Sequence, residues 1–154
     1  MLYFAYGSNL HQQQMKKRCP GCKFLKKYIL QDYQLTFRSD ACVADIDYKK
    51  GSKVQGALYE ITEKDESSLD KYEDFPILYK KIFFKCEGRD VMAYSMEKKS
   101  PFKYPSTRYL NIIKQGYKDC DLDPKFLDEA LKLSLIHISE PTRRTTIAYA
   151  VFCL

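Results

Sequence analysis

The spacing of short strand-like runs is the feature that most restricts the fold of this 154-residue chain. Runs rich in β-branched and aromatic residues recur along the first two thirds of the sequence, as is typical of β-strands. The connections between most of them are shorter than the dozen or more residues that a parallel crossover requires. Repeated βαβ units are therefore excluded. The predicted strands cover residues 2–6, 24–30, 33–38, 41–46, 54–61, 77–86 and 91–96.

Turn signals separate several of these runs. Gln31-Asp32 predicts a hairpin turn between the second and third runs. The Lys-Lys-Gly-Ser sequence at 49–52 predicts another turn, and Glu-Gly-Arg-Asp at 87–90 predicts a second hairpin. These turns favour antiparallel pairing of neighbouring strands.

Helix signals interrupt the strands at a few positions. Residues 10–18 form a predicted short helix, and Thr62, followed by a carboxylate three residues later, caps the next one. Two helices follow the last strand, one capped by Ser106 and one opened by Asp-Pro at 123–124. This order predicts an α+β fold, in which a small mixed or antiparallel β-barrel carries flanking helices.

Composition and charge narrow the classes of function. Hydrophobic residues make up 45% and charged residues 30%, the balance of a folded globular protein. The net charge is +6, but the basic residues are scattered in short groups among acidic ones, so no specific nucleic-acid partner is predicted. No apolar run approaches the ~20 residues of a membrane span, and no signal peptide is evident. We therefore expect a cytoplasmic protein without a membrane partner.

The cysteines include one pair with metal-binding or redox spacing. Cys19 and Cys22 enclose Pro-Gly, which is a turn signal. A structural zinc site needs about four ligands, and the sequence has no second CxxC or HxxxH motif. We interpret the pair as a turn with two incidental reduced thiols, and we predict no metal site.

The composition changes after Lys132. Only three charged side chains occur among residues 133–154, here called the tail, and no helical period is visible in it. The segment 134–143 resembles a peptide that recurs at the ends of metagenomic gene predictions and is typical of translated read sequence. We hypothesise that the authentic domain covers residues 1–132 and that the tail is not native. The alternative is a genuine terminal strand at 147–152.

A tight loop after the first strand is the first candidate binding site. The strand ends at Tyr6, and Gly-Ser-Asn-Leu at 7–10 leads into the predicted helix. Glycine allows close backbone approach, so several N–H groups can point into one cavity. Such a group of amides binds a carboxylate or phosphate. By itself, the segment is a weak signal, because most such segments are ordinary strand-to-helix turns.

Glu73 is the second candidate, where the predicted helix gives way to a loop with apolar flanks. A carboxylate partly desolvated among Tyr72, Phe75 and Tyr79 has a raised pKa, which suits acid–base catalysis. The segment alone nevertheless favours an exposed glutamate at a helix end. The local rivals are Glu63, Asp70 and Asp74.

Four segments link the two candidates by their order along the chain. They are Leu-Tyr-Phe-Ala-Tyr-Gly-Ser-Asn-Leu at 2–10, Val-x-Gly-x-Leu-Tyr-Glu-Ile at 54–61, Leu-Asp-x-Tyr-Glu at 69–73 and Pro-Ser-x-x-Tyr-Leu-x-x-Ile-x-x-Gly at 105–116. Together they resemble the γ-glutamylcyclotransferase family, including the AIG2-like proteins, over residues 1 to about 132. The resemblance implies a small mixed β-barrel with a cavity at one end. It also implies cofactor-independent cyclisation of a γ-glutamyl amino acid or γ-glutamyl amine to 5-oxoproline, with release of the amine.

The resemblance also implies roles for individual residues. Glu73 aligns with the acid–base glutamate of the family, and the loop after the first strand holds the substrate's α-carboxylate. Glycine commonly follows that glutamate in the family, whereas this chain has Asp74, which either raises the pKa of Glu73 further or faces solvent. The implied substrate-binding residues are Tyr6, Gly7, Ser8, Asn9, Leu10, Tyr79 and Tyr109.

Two other classes of function stay open at this level. The first is a non-catalytic module on the same barrel that binds or senses a small molecule, and Asp74 keeps this alternative open. The second is a basic protein associated with nucleic acid. The residue pattern leaves open the leaving amine, the groups that stabilise the oxyanion, and the oligomeric state.

Overall fold

The computed structural model describes the backbone of residues 1–139 and the side chains of residues 1–137. Within this range the fold is α+β, as predicted, and a 3₁₀ turn at Ser8–Leu10 follows the first strand. The predicted strand at 147–152 lies outside the described residues. The strands are β1 (Leu2–Ala5), β2 (Lys23–Arg38), β3 (Val43–Glu60), β4 (Tyr79–Cys86) and β5 (Arg89–Met96). The helices are α1 (Gln12–Arg18), α2 (Glu63–Tyr72), α3 (Thr107–Asp119) and α4 (Lys125–Ser139).

The strands form one mixed sheet in the order β2-β3-β1-β5-β4. The short strand β1 is central, pairing antiparallel with β3 and parallel with β5. In the described part of the chain, the edge strands β2 and β4 are not paired with each other, so the sheet is open rather than fully closed. Because β1 is central, the loop that leaves it is flanked by long strands on both sides.

The chain reverses between β2 and β3 at residues 39–42, and the predicted hairpin at Gln31-Asp32 is wrong. β2 continues through this position with a register shift between Gln31 and Tyr33. Asp32 adopts a left-handed backbone with φ 66°, and its Oδ1 accepts the Gly51 N–H at 2.9 Å. The predicted turn at 49–52 likewise lies inside β3. Turn-forming residues here produce a bulge, which bends a strand without reversing it.

The predicted helix starts are confirmed and position two parts of the site. Thr62 and Asp65 exchange side-chain-to-backbone hydrogen bonds of 3.1 Å at the start of α2, which forms a capping box. Asp65 also accepts the Gly21 N–H at 3.2 Å. At the start of α3, the Ser106 hydroxyl accepts the Tyr109 N–H at 3.2 Å. These caps fix the ends of α2 and α3 relative to the sheet.

The Cys19–Cys22 segment is a turn in which the Cys22 N–H donates to the Cys19 carbonyl at 3.0 Å. Both thiols are buried and free, and burial raises the pKa of Cys19 to about 12. A thiol with this pKa stays protonated at neutral pH and is a poor nucleophile or metal ligand. Among the described residues, no cluster of three or more His, Cys, Asp or Glu side chains is placed to hold a metal ion.

Helix α4 continues past Lys132 to Ser139, although no helical period is visible in the sequence of the tail. The helix starts beyond Asp123, whose Oδ1 accepts the Lys125 N–H at 3.0 Å. Extending an existing helix costs less than starting one, so a weakly patterned segment can continue it. The boundary near Lys132 stays a prediction. Within residues 1–139, every helix is too short or too polar to cross a membrane.

Candidate active site

The loop after β1 folds into the 3₁₀ turn, and its backbone supplies unpaired donors. The Leu10 N–H donates to the Gly7 carbonyl, and the His11 N–H donates to the Ser8 carbonyl, both at 3.1 Å. The first N–H groups of a helix have no acceptor inside that helix. The Ser8 and Asn9 amides occupy this position beside Gly7. The 3₁₀ turn therefore gives the Ser8 and Asn9 amides no acceptor inside the turn.

Helix α3 presses against the back of this loop at Gly116. A Cβ on Gly116 would lie 2.6 Å from both the carbonyl carbon and the Cβ of Leu10, and 2.8 Å from the His11 nitrogen. Leu10 is fully buried there, and its carbonyl accepts the Cys120 thiol at 3.4 Å. Leu10 therefore anchors the loop from behind and does not line the cavity described below.

Replacing Gly116 by alanine is expected to destabilise the protein and displace the loop. Alanine favours a helix interior by about 1 kcal/mol relative to glycine, but overpacking against backbone costs about 1–3 kcal/mol or more. Because the added methyl meets backbone that cannot rotate away, we expect a net loss in the free energy of unfolding. We also expect about a tenfold fall in kcat/KM, since misplacing a binding loop by about 1 Å costs up to ~10²-fold.

Chemical denaturation and steady-state kinetics measure these two effects. Lys114→Ala is the matched control, because Lys114 is exposed on the same helix and surface changes typically stay within about 0.5 kcal/mol. Gly116→Ala with the stability and kinetics of this control would contradict the packing argument.

A narrow cavity of about 30 Å³ lies at the end of β1. It brings together most of the predicted site residues, from segments far apart in the sequence. A larger hollow of about 460 Å³ lies between α4 and the β2–β3 pair, but none of the four sequence segments that suggest a site contributes to it. The residues lining the narrow cavity are Tyr3, Tyr6, Gly7, Ser8, Asn9, Ala44, Glu73, Tyr79, Tyr94 and Tyr109.

Glu73 lies directly after α2, and its carboxyl group faces this cavity. Its N–H continues the helix by donating to the Leu69 carbonyl at 2.8 Å. Its Oε1 accepts the side-chain amide of Asn9 at 3.3 Å. Burial raises the pKa of Glu73 to about 7, with the charge of Arg18 acting in the opposite direction. A carboxyl group with this pKa can both take and give a proton near neutral pH.

The predicted neighbours of Glu73 are only partly correct. Tyr79 lines the cavity, whereas Tyr72 is exposed and forms a 3.0 Å hydrogen bond with the Ser8 hydroxyl at the surface. Phe75 packs at the edge of the core and does not line the cavity.

Asp74 faces solvent and adopts a left-handed backbone with φ 53°. Glycine is favoured at this position after a helix because it has no Cβ to oppose that conformation, and aspartate tolerates it better than most residues. The raised pKa of Glu73 follows from burial, with Arg18 as its charged neighbour. Asp74 therefore replaces the family's glycine at a position that requires a left-handed backbone, and its side chain faces away from the cavity into solvent.

The tyrosine hydroxyls differ in where their protons point. Tyr6 donates to the Tyr94 carbonyl at 2.6 Å, and Tyr79 donates to the Ala44 carbonyl at 2.6 Å. Tyr94 donates to the Asp70 carboxylate at 2.6 Å. These three protons are therefore used within the protein.

Tyr3 and Tyr109 accept hydrogen bonds instead. The Tyr109 oxygen accepts the Ala44 N–H at 3.0 Å, and the Tyr3 oxygen accepts the Asn9 side-chain amide at 2.9 Å. Within residues 1–137, neither hydroxyl proton has an acceptor. Burial raises the pKa of both side chains above the usual tyrosine value, so both stay protonated donors.

Sequence reasoning missed three residues that the structure brings to Glu73. Tyr3 occupies an apolar run in which nothing distinguishes it from core residues such as Phe4. Tyr94 reaches the cavity through the parallel pairing of β5 with β1. Arg18 lies at the end of α1, where a basic residue is ordinary.

Comparisons with known proteins confirm the family resemblance of the sequence. The sequence model described as gamma-glutamyl cyclotransferase, AIG2-like, matches residues 3–116. The gamma-glutamylcyclotransferase of Mus musculus is 30% identical over 145 residues, covering 85% of this chain and 77% of that protein. The Bos taurus protein of the same name is 30% identical over 132 residues, covering 77% and 70%. A solved structure named gamma-glutamyl cyclotransferase superposes with a TM-score of 0.71 at 28% identity, covering 86% of each chain. This chain belongs to the gamma-glutamyl cyclotransferase, AIG2-like family.

Proposed function

We propose that this protein is a γ-glutamylcyclotransferase that converts a γ-glutamyl amino acid or γ-glutamyl amine to 5-oxoproline, and that Glu73 is its general acid–base. The observation that carries the proposal is the Glu73 carboxyl group, whose pKa is raised to about 7 by burial beside the loop after β1. Family membership supports the reaction class.

The reaction needs one group that first accepts and then donates a proton. The substrate's α-ammonium cannot attack until it loses a proton, which Glu73 accepts as a carboxylate. The α-nitrogen then bonds to the γ-carbonyl carbon, and the carbon–nitrogen bond to the leaving amine breaks. Protonated Glu73 gives its proton to that amine. The released amine also takes up the second proton that the α-nitrogen loses on becoming the lactam N–H, so it leaves as an ammonium and Glu73 is again a carboxylate. A raised pKa suits both steps because neither protonation state is strongly disfavoured.

The loop after β1 supplies the anchor for the substrate's α-carboxylate. Ser8 and Asn9 line the cavity beside Gly7, at the start of the 3₁₀ turn. Backbone N–H groups in such a turn favour an anion. Holding the carboxylate fixes the α-amine near the γ-carbonyl. The substrate then loses less conformational entropy on reaching the transition state, which lowers the activation barrier.

Tyr109 is the proposed donor to the developing oxyanion. Its oxygen accepts from the Ala44 N–H, which leaves its own proton available and polarises the hydroxyl. The same oxygen would lie 3.2 Å from a Cβ on Gly7, so it lies directly against the loop. Tyr6 and Tyr79 lack an available proton because both donate to backbone carbonyls.

The acid limb of the pH profile is expected near pH 7. Burial disfavours the charged form of Glu73, so its pKa is raised and its ionised fraction falls as the pH drops below about 7. Because the free enzyme must hold Glu73 ionised to act as base, kcat/KM falls toward tenfold for each pH unit below that point. Initial rates of 5-oxoproline release at constant ionic strength measure the limb. A limb near the ordinary glutamate pKa of about 4.3 would contradict the assignment.

A substrate panel separates the enzyme from the non-catalytic alternative. The protein is incubated with γ-glutamyl amino acids and γ-glutamyl amines, and 5-oxoproline is quantified by mass spectrometry. We expect turnover of at least one member and none with α-linked glutamyl peptides, whose side-chain carboxylate is not an amide. Saturable binding of a panel member without 5-oxoproline release would favour the binding module.

A further inference from the structure

We infer that Arg18 is a positioning residue for the reaction: it fixes the orientation of the Asn9 side-chain amide and, through that amide, the position of the Glu73 carboxylate. This inference rests on the proposed role of Glu73. Arg18 itself lies outside the cavity lining, at the last position of α1.

Three contacts hold the Arg18 guanidinium in one place. Its Nη1 donates to Asn9 Oδ1 at 2.6 Å, and its Nη2 donates to Gln14 Oε1 at 2.8 Å. Its Cζ lies 3.6 Å from the centroid of the Tyr72 ring, a close cation–π stack. A planar group with two directional hydrogen bonds and a stacked face loses most of its freedom to rotate. Arg18 is therefore a fixed reference for Asn9.

The fixed guanidinium determines which way the Asn9 amide faces. Arginine has only donors, so it donates to the amide oxygen and cannot form a hydrogen bond with the amide NH₂ group. The NH₂ group must then face the opposite side, where it donates to the Tyr3 oxygen at 2.9 Å and to Glu73 Oε1 at 3.3 Å. Both amide protons and the amide oxygen have partners. Without Arg18, a rotated amide would present its oxygen to the Glu73 carboxylate.

Arg18 also supplies the positive charge that acts on Glu73. Within residues 1–137, its guanidinium is the cation whose charge lowers the pKa of Glu73 against the effect of burial. The charge of Glu73 raises the pKa of five tyrosines from other parts of the fold, and all five stay neutral near pH 7. They are Tyr3 from β1, Tyr6 from the loop after it, Tyr79 from β4, Tyr94 from β5 and Tyr109 from α3.

The test compares Arg18→Gln with Lys17→Gln in the full chain. Lys17 is exposed on the same turn of α1, so its replacement removes one positive charge without touching Asn9. For Arg18→Gln we expect kcat to fall about 10- to 100-fold with KM within about twofold, because supporting residues typically have effects of this size. We also expect the acid limb of kcat/KM to move to higher pH. Lys17→Gln is expected to change neither quantity.

Arg18→Lys separates charge from geometry and carries the test if Arg18→Gln does not fold. Lysine keeps the charge but has no planar fork, so we expect an acid limb close to that of the unmodified protein and a lowered kcat. An unchanged kcat in folded Arg18→Lys, or Arg18→Gln that matches Lys17→Gln in both kcat and acid limb, would overturn the inference.

A direct titration distinguishes failure of this inference from failure of the proposed function. The Glu73 carboxyl carbon is followed by ¹³C NMR, with its signal assigned by its loss in Glu73→Gln. We expect the pKa read from this signal to rise in Arg18→Gln and to stay constant in Lys17→Gln. If Glu73→Gln keeps full turnover, the proposed role of Glu73 fails, whereas an unmodified protein that turns over no γ-glutamyl substrate defeats the proposed function. A Glu73 pKa that does not respond to Arg18→Gln overturns the link between the two residues.

Discussion

Glu73→Gln is expected to slow turnover, measured as kcat, by about 10²- to 10⁴-fold, the usual contribution of general acid–base catalysis. Glutamine keeps the volume of the side chain and an oxygen that accepts the Asn9 amide, but it cannot take the proton of the substrate's ammonium. KM is expected to change little, because Glu73 is assigned to proton transfer and the loop after β1 to the α-carboxylate. Steady-state kinetics with the best substrate of the γ-glutamyl panel measure both parameters.

The same variant is expected to be more stable than the unmodified protein above pH 7. The pKa of Glu73 is raised from an ordinary 4.5 to about 7 in the folded state, so the folded state binds the proton more tightly than the unfolded state. The stability from this protonation is fully present below about pH 4.5 and is lost as the pH rises through about 7. Glutamine never ionises and avoids the loss, which is about 3 kcal/mol for this shift at roughly 1.4 kcal/mol per pKa unit.

Denaturation of both proteins at pH 5 and pH 8 measures this difference. The stability gain should appear at pH 8 and shrink at pH 5. Near-normal 5-oxoproline release by a folded Glu73→Gln protein would defeat the catalytic assignment. An equal stability difference at the two pH values would show that folding does not raise the pKa of Glu73.

Tyr109→Phe is expected to lower kcat by about 10²- to 10³-fold, the loss typical when one oxyanion donor is removed. The hydroxyl proton of Tyr109 is available to the developing charge on the γ-carbonyl oxygen because Ala44 N–H already occupies the tyrosine oxygen as a donor. The interaction strengthens as charge develops, so the effect falls on kcat more than on KM. Single-turnover and steady-state rates of 5-oxoproline release measure it.

Tyr6→Phe is the matched control for this prediction. It removes a buried hydroxyl from the same cavity and breaks one hydrogen bond to backbone, to the Tyr94 carbonyl, as Tyr109→Phe does at Ala44. Each variant removes one hydrogen bond between a hydroxyl and a backbone group, at a cost of about 0.5–1.5 kcal/mol in stability. A much smaller loss of kcat in Tyr6→Phe supports the assignment. Equal losses in both variants would instead indicate a shared structural effect.

Sequence alone predicted the local structure wherever neighbouring residues determine it. The caps at Thr62 and Ser106 are confirmed because a helix start depends on side chains within three or four positions. The bulge at Asp32 was not predicted, because a turn-forming residue is compatible with either a chain reversal or a bulge. The pairing of β2 with β3, which is long-range, determines which of the two forms. Glu73 and the loop after β1 could be predicted as site residues because both belong to motifs that are contiguous in the sequence.

What only the tertiary structure decided is the environment that gives those motifs their chemistry. The motif names Glu73, but its pKa depends on burial among side chains from β1, β4, β5 and α3. The sequence names Tyr6, Tyr79 and Tyr109 alike, whereas hydrogen bonds to distant backbone groups leave a proton available on Tyr109 alone of the three. Likewise, folding brings Arg18 to the Asn9 side chain, which in turn donates a hydrogen bond to Glu73. Desolvation and hydrogen-bond direction are set by groups far apart in the chain, so they exist only after the chain has folded.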